Sequence, residues 1–258
     1  MELVQFEQVG DTARITLTRP QAGNAVNAEL IADLGAAVEA AAAATPRSVL
    51  LTAHGANFSM GGDLKHLLAA GDDVADELER MAHGFHAAQL RLIDIGVPIV
   101  AAVRGNCIGG GFGLALTADY LLCSESTRFS TGYSRLGLST DAGVSYFLTR
   151  ALGIRRARTL LMDARFFDAD DAVALGLADR KLPDDQLDAA GLALAGELAE
   201  GPTAAYATIR RLTDAAGTNG LATQLDMEAG EIVALARRDD VRAALSAPLT
   251  RTKPTFTR

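Results

Sequence analysis

The stretch "VPIVAAVRGNCIGGGFGLALTADYLLCSESTRFS", Val97 to Ser130, puts an apolar strand, a glycine run, a helical run and a second strand in sequence. The first strand, "VPIVAAVRG", is opened by Pro98, and the second is "DYLLCS". Strands alternating with helices predict parallel crossovers. The glycines of "IGGGFG" (108–113) stand where strand passes into helix. There a backbone without side chains can approach a ligand, and the helix start offers unpaired N–H groups. The spacing is neither a dinucleotide fingerprint nor a phosphate loop.

Upstream, "LVQFEQVG" and "TARITLTR" alternate and predict a hairpin turning at Gly10-Asp11. A helix is expected from Ala28 to Ala44, with Pro46 just beyond it. "SVLLTA" reads as a buried strand followed by a second glycine loop, "SMGGD" (59–63). Asp76 to Ile95 reads as helix. After about residue 140 the pattern is mostly helical, with helices expected at 143–151, 154–162, 184–200, 202–216 and 220–236 and a short strand at Ala178 to Leu182. The reading is one α/β core over residues 1–200 with a helical region over 201–258, one structural unit with the core. Two glycine loops, each after a strand and before a helix, could aim two backbone N–H groups at one point, which is the requirement for an oxyanion hole. Either could also be an ordinary tight turn.

The 258 residues carry 24 basic against 32 acidic groups, a net charge of −8, which argues against a general nucleic-acid surface. There is no uninterrupted apolar run of about 18 residues, so no membrane span is expected. "MELVQFEQVG" lacks the pattern of a signal peptide, and Cys107 and Cys123 have no metal or redox spacing. A cytoplasmic setting is expected.

"LTRPQAGNAVN", "NFSMGGDLKHL", the Val97–Ser130 stretch, "LGLSTDAGVSYFLTRALG" and "ADDAVALGLADRKL" follow one another in an order and spacing that resembles the crotonase (enoyl-CoA hydratase/isomerase) superfamily. The resemblance implies a repeated ββα spiral core with a helical C-terminal trimerisation region. It implies a homotrimer or dimer of trimers, an acyl-CoA thioester as substrate, and no cofactor beyond the coenzyme A that the substrate carries. It carries the oxyanion-hole N–H groups onto Gly62 and Gly110. It places Ala25, Met60, Asp63, Leu64, Tyr133 and Leu138 around the substrate, with Asp63 also a loop anchor, and makes Lys65 and Lys253 candidates for the CoA phosphates.

The hydratases of the family use two glutamates. Their positions fall here on Gly113 and Tyr133, so a two-glutamate hydratase is not expected. Instead "GLSTDAG" resembles the stretch that carries a lone carboxylate in 3,2-enoyl-CoA isomerases of the peroxisomal type and in the ring-oxepin (1,2-epoxyphenylacetyl-CoA) isomerases of phenylacetate degradation. Asp141 is therefore the expected proton shuttle. Apolar neighbours such as Leu138, Val144 and Phe147 would desolvate it. From its residues alone, "STDAGVSYFL" could equally place Asp141 as a helix cap. Tyr133 could offer a hydroxyl to the substrate or to Asp141, or fill volume. His54, His66, His83 and His86 are scattered and read as surface or pocket-rim residues; His83 and His86 could share a helix face. The dehalogenase branch uses an aspartate near a His and a Trp, and this chain has no Trp. The naphthoate synthase branch carries its Asp one position away. The reading is an acyl-CoA double-bond isomerase. The alternatives are a hydratase-like enzyme of lipid, aromatic or secondary metabolism, and a CoA-ester binding protein whose catalysis has decayed.

Overall fold

A computed structural model describes residues 2–250 and 254–257. β1 (Val4–Val9) and β2 (Thr12–Leu17) form the expected antiparallel hairpin, turning through Gly10 at φ 60. α1 (Ala28–Ala43) starts at Asn27, whose side chain accepts from the Leu30 N–H at 2.9 Å. That cap satisfies one of the donors a helix start leaves open. β3 (Ser48–Ala53) follows, then α2 (Leu64–Ala69) and α3 (Val74–Ile93). β4 (Ile99–Val103), β5 (Asn106–Ile108) and α4 (Gly110–Ala115) make one strand–strand–helix unit. β6 (Tyr120–Ser124), β7 (Arg128–Ser130) and α5 (Val144–Asp163) make the next. β8 (Phe167–Asp168), α6 (Ala169–Ala174), β9 (Arg180–Leu182) and α7 (Leu187–Glu200) complete the core. α8 (Thr203–Ala216), α9 (Leu221–Ala236) and α10 (Asp239–Thr250) lead to the C-terminus.

The large sheet runs β1-β2-β3-β4-β6-β9 and is parallel from β2 onward. The small sheet runs β5-β7-β8. Isolated pairing of Ser59 with Cys107 adds the first glycine loop beside β5, so β3 and its loop repeat the same step in reduced form. Each turn of the chain thus lays one segment on the large sheet, one on the small sheet and a helix outside. This is the α/β spiral of ββα units expected above.

Both faces of β3, β4 and β6 are covered, which is why these strands read as continuous apolar runs. Val49, Leu51, Ile99, Ala101 and Val103 face a core shared with α1 and α3. Leu50, Val100, Ala102 and Leu122 face α7. Phe112, Phe129 and Phe167 cluster with ring centroids 5.3–6.0 Å apart and tie α4 to the small sheet.

Several expectations need correction. α3 begins at Val74, not Asp76, and α7 at Leu187, after a turn at Pro183. The helices expected at 143–151 and 154–162 join end to end across a break at Gly153 (φ 75, ψ 160). α2, α6, β5, β7 and β8 are further elements: helices of six residues span fewer than two turns, and strands of two or three residues are too short to alternate. Beyond α7 large apolar side chains stand exposed, among them Leu221, Leu225, Ile232 and Leu245. No helix among the described residues is long and apolar enough to cross a membrane.

α7 is held to the sheet by a buried cation. Arg47, 6 % exposed, donates to the Ala199 and Gly201 carbonyls at the end of α7, and the Ser48 hydroxyl donates to the Ala195 carbonyl at 2.8 Å. Arg47→Ala removes both bonds, leaving the Gly201 carbonyl only the Thr203 N–H, and should lower unfolding free energy by about 2–3 kcal/mol, measured by urea denaturation. An unchanged midpoint would show that α7 does not depend on this clamp.

Candidate active site

The two glycine loops meet backbone to backbone. Gly61 sits at φ 81, and a β-carbon there would lie 3.0 Å from the Ile108 carbonyl oxygen. Gly109 sits at φ 54, and a β-carbon there would lie 3.8 Å from the Gly61 α-carbon. The Ser59 hydroxyl stitches the first loop by donating to the Asn24 carbonyl and accepting from the Gly61 N–H. The next residues, Gly62 and Gly110, line one cavity of about 280 Å³. Gly110 opens α4, so its N–H has no carbonyl a turn below it. Neither the Gly62 nor the Gly110 N–H has an acceptor among the described residues.

Asp141 lines the same cavity and is the only carboxylate on its described wall. It precedes two left-handed residues, Ala142 (φ 53) and Gly143 (φ 72). Gln89 on α3 donates to the Ala142 carbonyl at 3.2 Å and holds this turn. The first turn of α5 has no side-chain cap, so Asp141 does not act as one. Its Oδ1 instead lies 2.6 Å from Nε2 of His86 on α3. The side chains of Asp141 and His86 are about equally exposed, 40 % and 41 %. The apolar enclosure expected of Asp141 is therefore not what surrounds it. Leu138 lines the cavity, but Val144 is turned into the core and Phe147 packs beneath Gly143.

The positions of the two missing glutamates have different fates. A β-carbon on Gly113 would collide with the carbonyl and methyl of Ala142, so the turn carrying Asp141 occupies that space. Tyr133 lines the cavity, and a β-carbon on Gly110 would lie 4.0 Å from its hydroxyl. Burial, with a further push from the Asp141 charge, raises the Tyr133 hydroxyl well above its ordinary range. It stays protonated at neutral pH and is a donor. No hydrogen bond joins it to Asp141 or to any other described residue.

Met60, Leu64 and Leu138 lie on the cavity wall, while Ala25, Asp63 and Lys65 do not. Ala25 is buried and gives its carbonyl to Arg19. Asp63 caps α2 through the Lys65 and His66 N–H groups and pairs with Arg19 at 2.7 Å. Burial alone would raise its carboxyl, but the Arg19 hydrogen bond and charge and the two N–H groups outweigh it and hold it below the ordinary range. Lys65 is exposed, and Lys253 lies outside the described residues. His66 contacts Glu77 and His83 approaches Glu79, both away from the cavity. His86 is the residue that the sequence reading left on the rim. Its contact spans 55 positions, and no local motif marks it. Among the described residues no group of three or more His, Cys, Asp or Glu is placed to hold a metal ion.

Comparison with known proteins gives a consistent picture. The family described as "Enoyl-CoA hydratase/isomerase" matches residues 7–258. A "Probable enoyl-CoA hydratase" of Rhodobacter capsulatus is 34 % identical, covering 98 % of this chain and 97 % of its own. A "1,2-epoxyphenylacetyl-CoA isomerase" of Escherichia coli is 32 % identical, covering 100 % and 99 %. The crystal structure of an enoyl-CoA hydratase from Polaromonas sp. JS666 superposes with a TM-score of 0.93 at 30 % identity, over 98 % of this chain and 99 % of that one.

The contact between α4 and the Asp141 turn is testable. Gly113→Ala should destabilise the protein by about 1–3 kcal/mol, the usual cost of overpacking, and shift the turn. Urea denaturation reads the first effect. A variant as stable as the parent would mean that the turn yields without cost.

Proposed function

The chain belongs to the enoyl-CoA hydratase/isomerase family of crotonase-fold enzymes, and we propose that within it the protein is an acyl-CoA double-bond isomerase with Asp141 as its proton shuttle. One observation carries this reading: Asp141 is the only carboxylate on the described wall of a cavity that also holds two unpaired N–H groups. The thioester carbonyl of an enoyl-CoA accepts from Gly62 and Gly110. Those donors stabilise the negative charge that develops on oxygen as the α-proton leaves. Asp141 takes that proton, the double bond moves, and the proton returns at the γ-carbon. The Tyr133 hydroxyl beside Gly110 is a third donor available to the same oxygen. The Escherichia coli relative, an isomerase of a CoA ester, supports the substrate class. The space closed at Gly113 by Ala142 speaks against a glutamate-placed water.

A second reading is favoured by the His86–Asp141 contact. A carboxylate beside an imidazole suits nucleophilic displacement, in which Asp141 attacks a halogen-bearing aryl carbon, halide leaves, and His86 deprotonates the water that hydrolyses the aryl ester. No tryptophan is available to assist it.

A panel of 3-enoyl-CoA, 2-enoyl-CoA, ring-oxepin CoA and 4-chlorobenzoyl-CoA separates these readings. The expected outcome is isomerisation of the 3-enoyl or oxepin ester. Asp141→Asn should lose it by a factor of at least about 100, the usual range for a general base, with CoA-ester binding unchanged. Equal rates in the two proteins would remove Asp141 from the chemistry. Water addition to 2-enoyl-CoA without isomerisation would return the protein to the hydratases, and chloride release would favour the displacement.

We also propose that the active form is a homotrimer or a dimer of trimers. The apolar side chains exposed on α9 and α10 support an interface between copies. Sedimentation velocity should give a trimer or hexamer, and a stable monomer would contradict it.

A further inference from the structure

A second cavity, about 670 Å³, lies on the other side of the His86–Asp141 pair. Its wall includes His86, Gln89, Thr117, Asp119, Arg210 and Thr213. His86 lines this cavity and not the first; Asp141 lines the first and not this one. The turn at 141–143 divides them, with Ala142 on the wall of the first and Gly143 on the wall of the second. One hydrogen bond, 2.6 Å from Asp141 Oδ1 to His86 Nε2, therefore spans the partition.

The two sides differ in chemistry. The first cavity is lined mainly by aliphatic and aromatic side chains, and an acyl chain filling it would cover the Asp141 carboxyl from water. The second is lined by Leu90, Ile93, Leu116, Tyr146 and Phe147 as well, but adds hydroxyls, a carboxamide, Asp214 and the Arg210–Asp119 ion pair at 3.2 Å, and so has the size and polar partners that water needs. An imidazole is the side chain suited to join them, because it takes up and releases a proton near neutral pH.

We propose that His86 is a proton relay between Asp141 and the water of the second cavity. The proposal rests on the reading of Asp141 as the proton shuttle. The proton that Asp141 removes from carbon passes from Oδ1 to Nε2 and makes His86 an imidazolium. The ring, half exposed on the wall of the second cavity, turns from Asp141 to the water there, exchanges that Nε2 proton for one from solvent, and turns back to reload Asp141. No bond to the substrate changes in either step and no electrons are transferred. His86 thereby sets how often the proton returned to substrate comes from solvent and how often it is the one just removed. Gln89, one helical turn further along α3, keeps the turn and the carboxylate in register with the ring.

The test follows deuterium from D2O into two esters, 3-hexenoyl-CoA and butyryl-CoA. Butyryl-CoA has no double bond to move, so label at its α-carbon reports proton exchange alone. His86→Gln keeps a hydrogen-bond donor for Asp141 but cannot carry a proton. It should lower labelling of butyryl-CoA, and labelling per turnover of 3-hexenoyl-CoA, by at least about tenfold. Equal labelling by the two proteins, or no labelling of either ester by the parent, overturns the relay. A loss of turnover as large as the loss of labelling also overturns it, for His86 would then only hold the carboxylate in place. Labelling of butyryl-CoA that depends on His86, with no product from 3-hexenoyl-CoA, overturns the isomerase reading and leaves the relay standing.

Discussion

The site depends on one close approach, that of the Gly61 backbone to Ile108 and Gly109. Both glycines adopt positive φ, and a β-carbon on Gly61 would press on the Ile108 carbonyl. An L-residue there would be strained in its own dihedrals and would push the loops apart. Pairing of Ser59 with Cys107, and of Cys107 with Phe129, brings three successive units of the spiral side by side at this point. The donors at Gly62 and Gly110 follow from that contact. Unpaired N–H groups are costly when buried and useful when they face a polar ligand. The two glycines line a cavity.

The carboxylate reaches the same cavity by a different route. Asp141 is positioned by groups from outside its own helix: the bare surface of α4 at Gly113, the left-handed Ala142, and Gln89 of α3. A side chain at residue 113 and the observed turn at 141–143 compete for one volume. The bare backbone at Gly113 is therefore what leaves room for the acid carried by the loop before α5.

The scaffold behind the site is stiff where it must be. Parallel strands buried on both faces carry both glycine loops at their ends, and the Phe112–Phe129–Phe167 cluster fixes α4 against the small sheet. Arg47 and Ser48 fasten α7 to the far face. The helices beyond α7 add little to this core and turn apolar side chains outward, so their stability is expected to depend on what covers them.

The sequence by itself determined the spiral of strands and helices, both glycine loops and the lone acid at Asp141, and its family resemblance marked Gly113 and Tyr133 as positions where hydratases carry glutamates. Each of these is local: an alternation, a glycine run, or a residue at a set distance along a motif. The tertiary structure decided the rest. It turned Asp141 from a possible helix cap into a cavity residue, moved Asp63 from the substrate to Arg19, and closed the space at Gly113 with Ala142. It also brought His86 to Asp141 from 55 positions away. A hydrogen bond between elements so far apart depends on how helices seat on a sheet. That seating is set by side-chain volumes across the whole core, so no short window of sequence contains it.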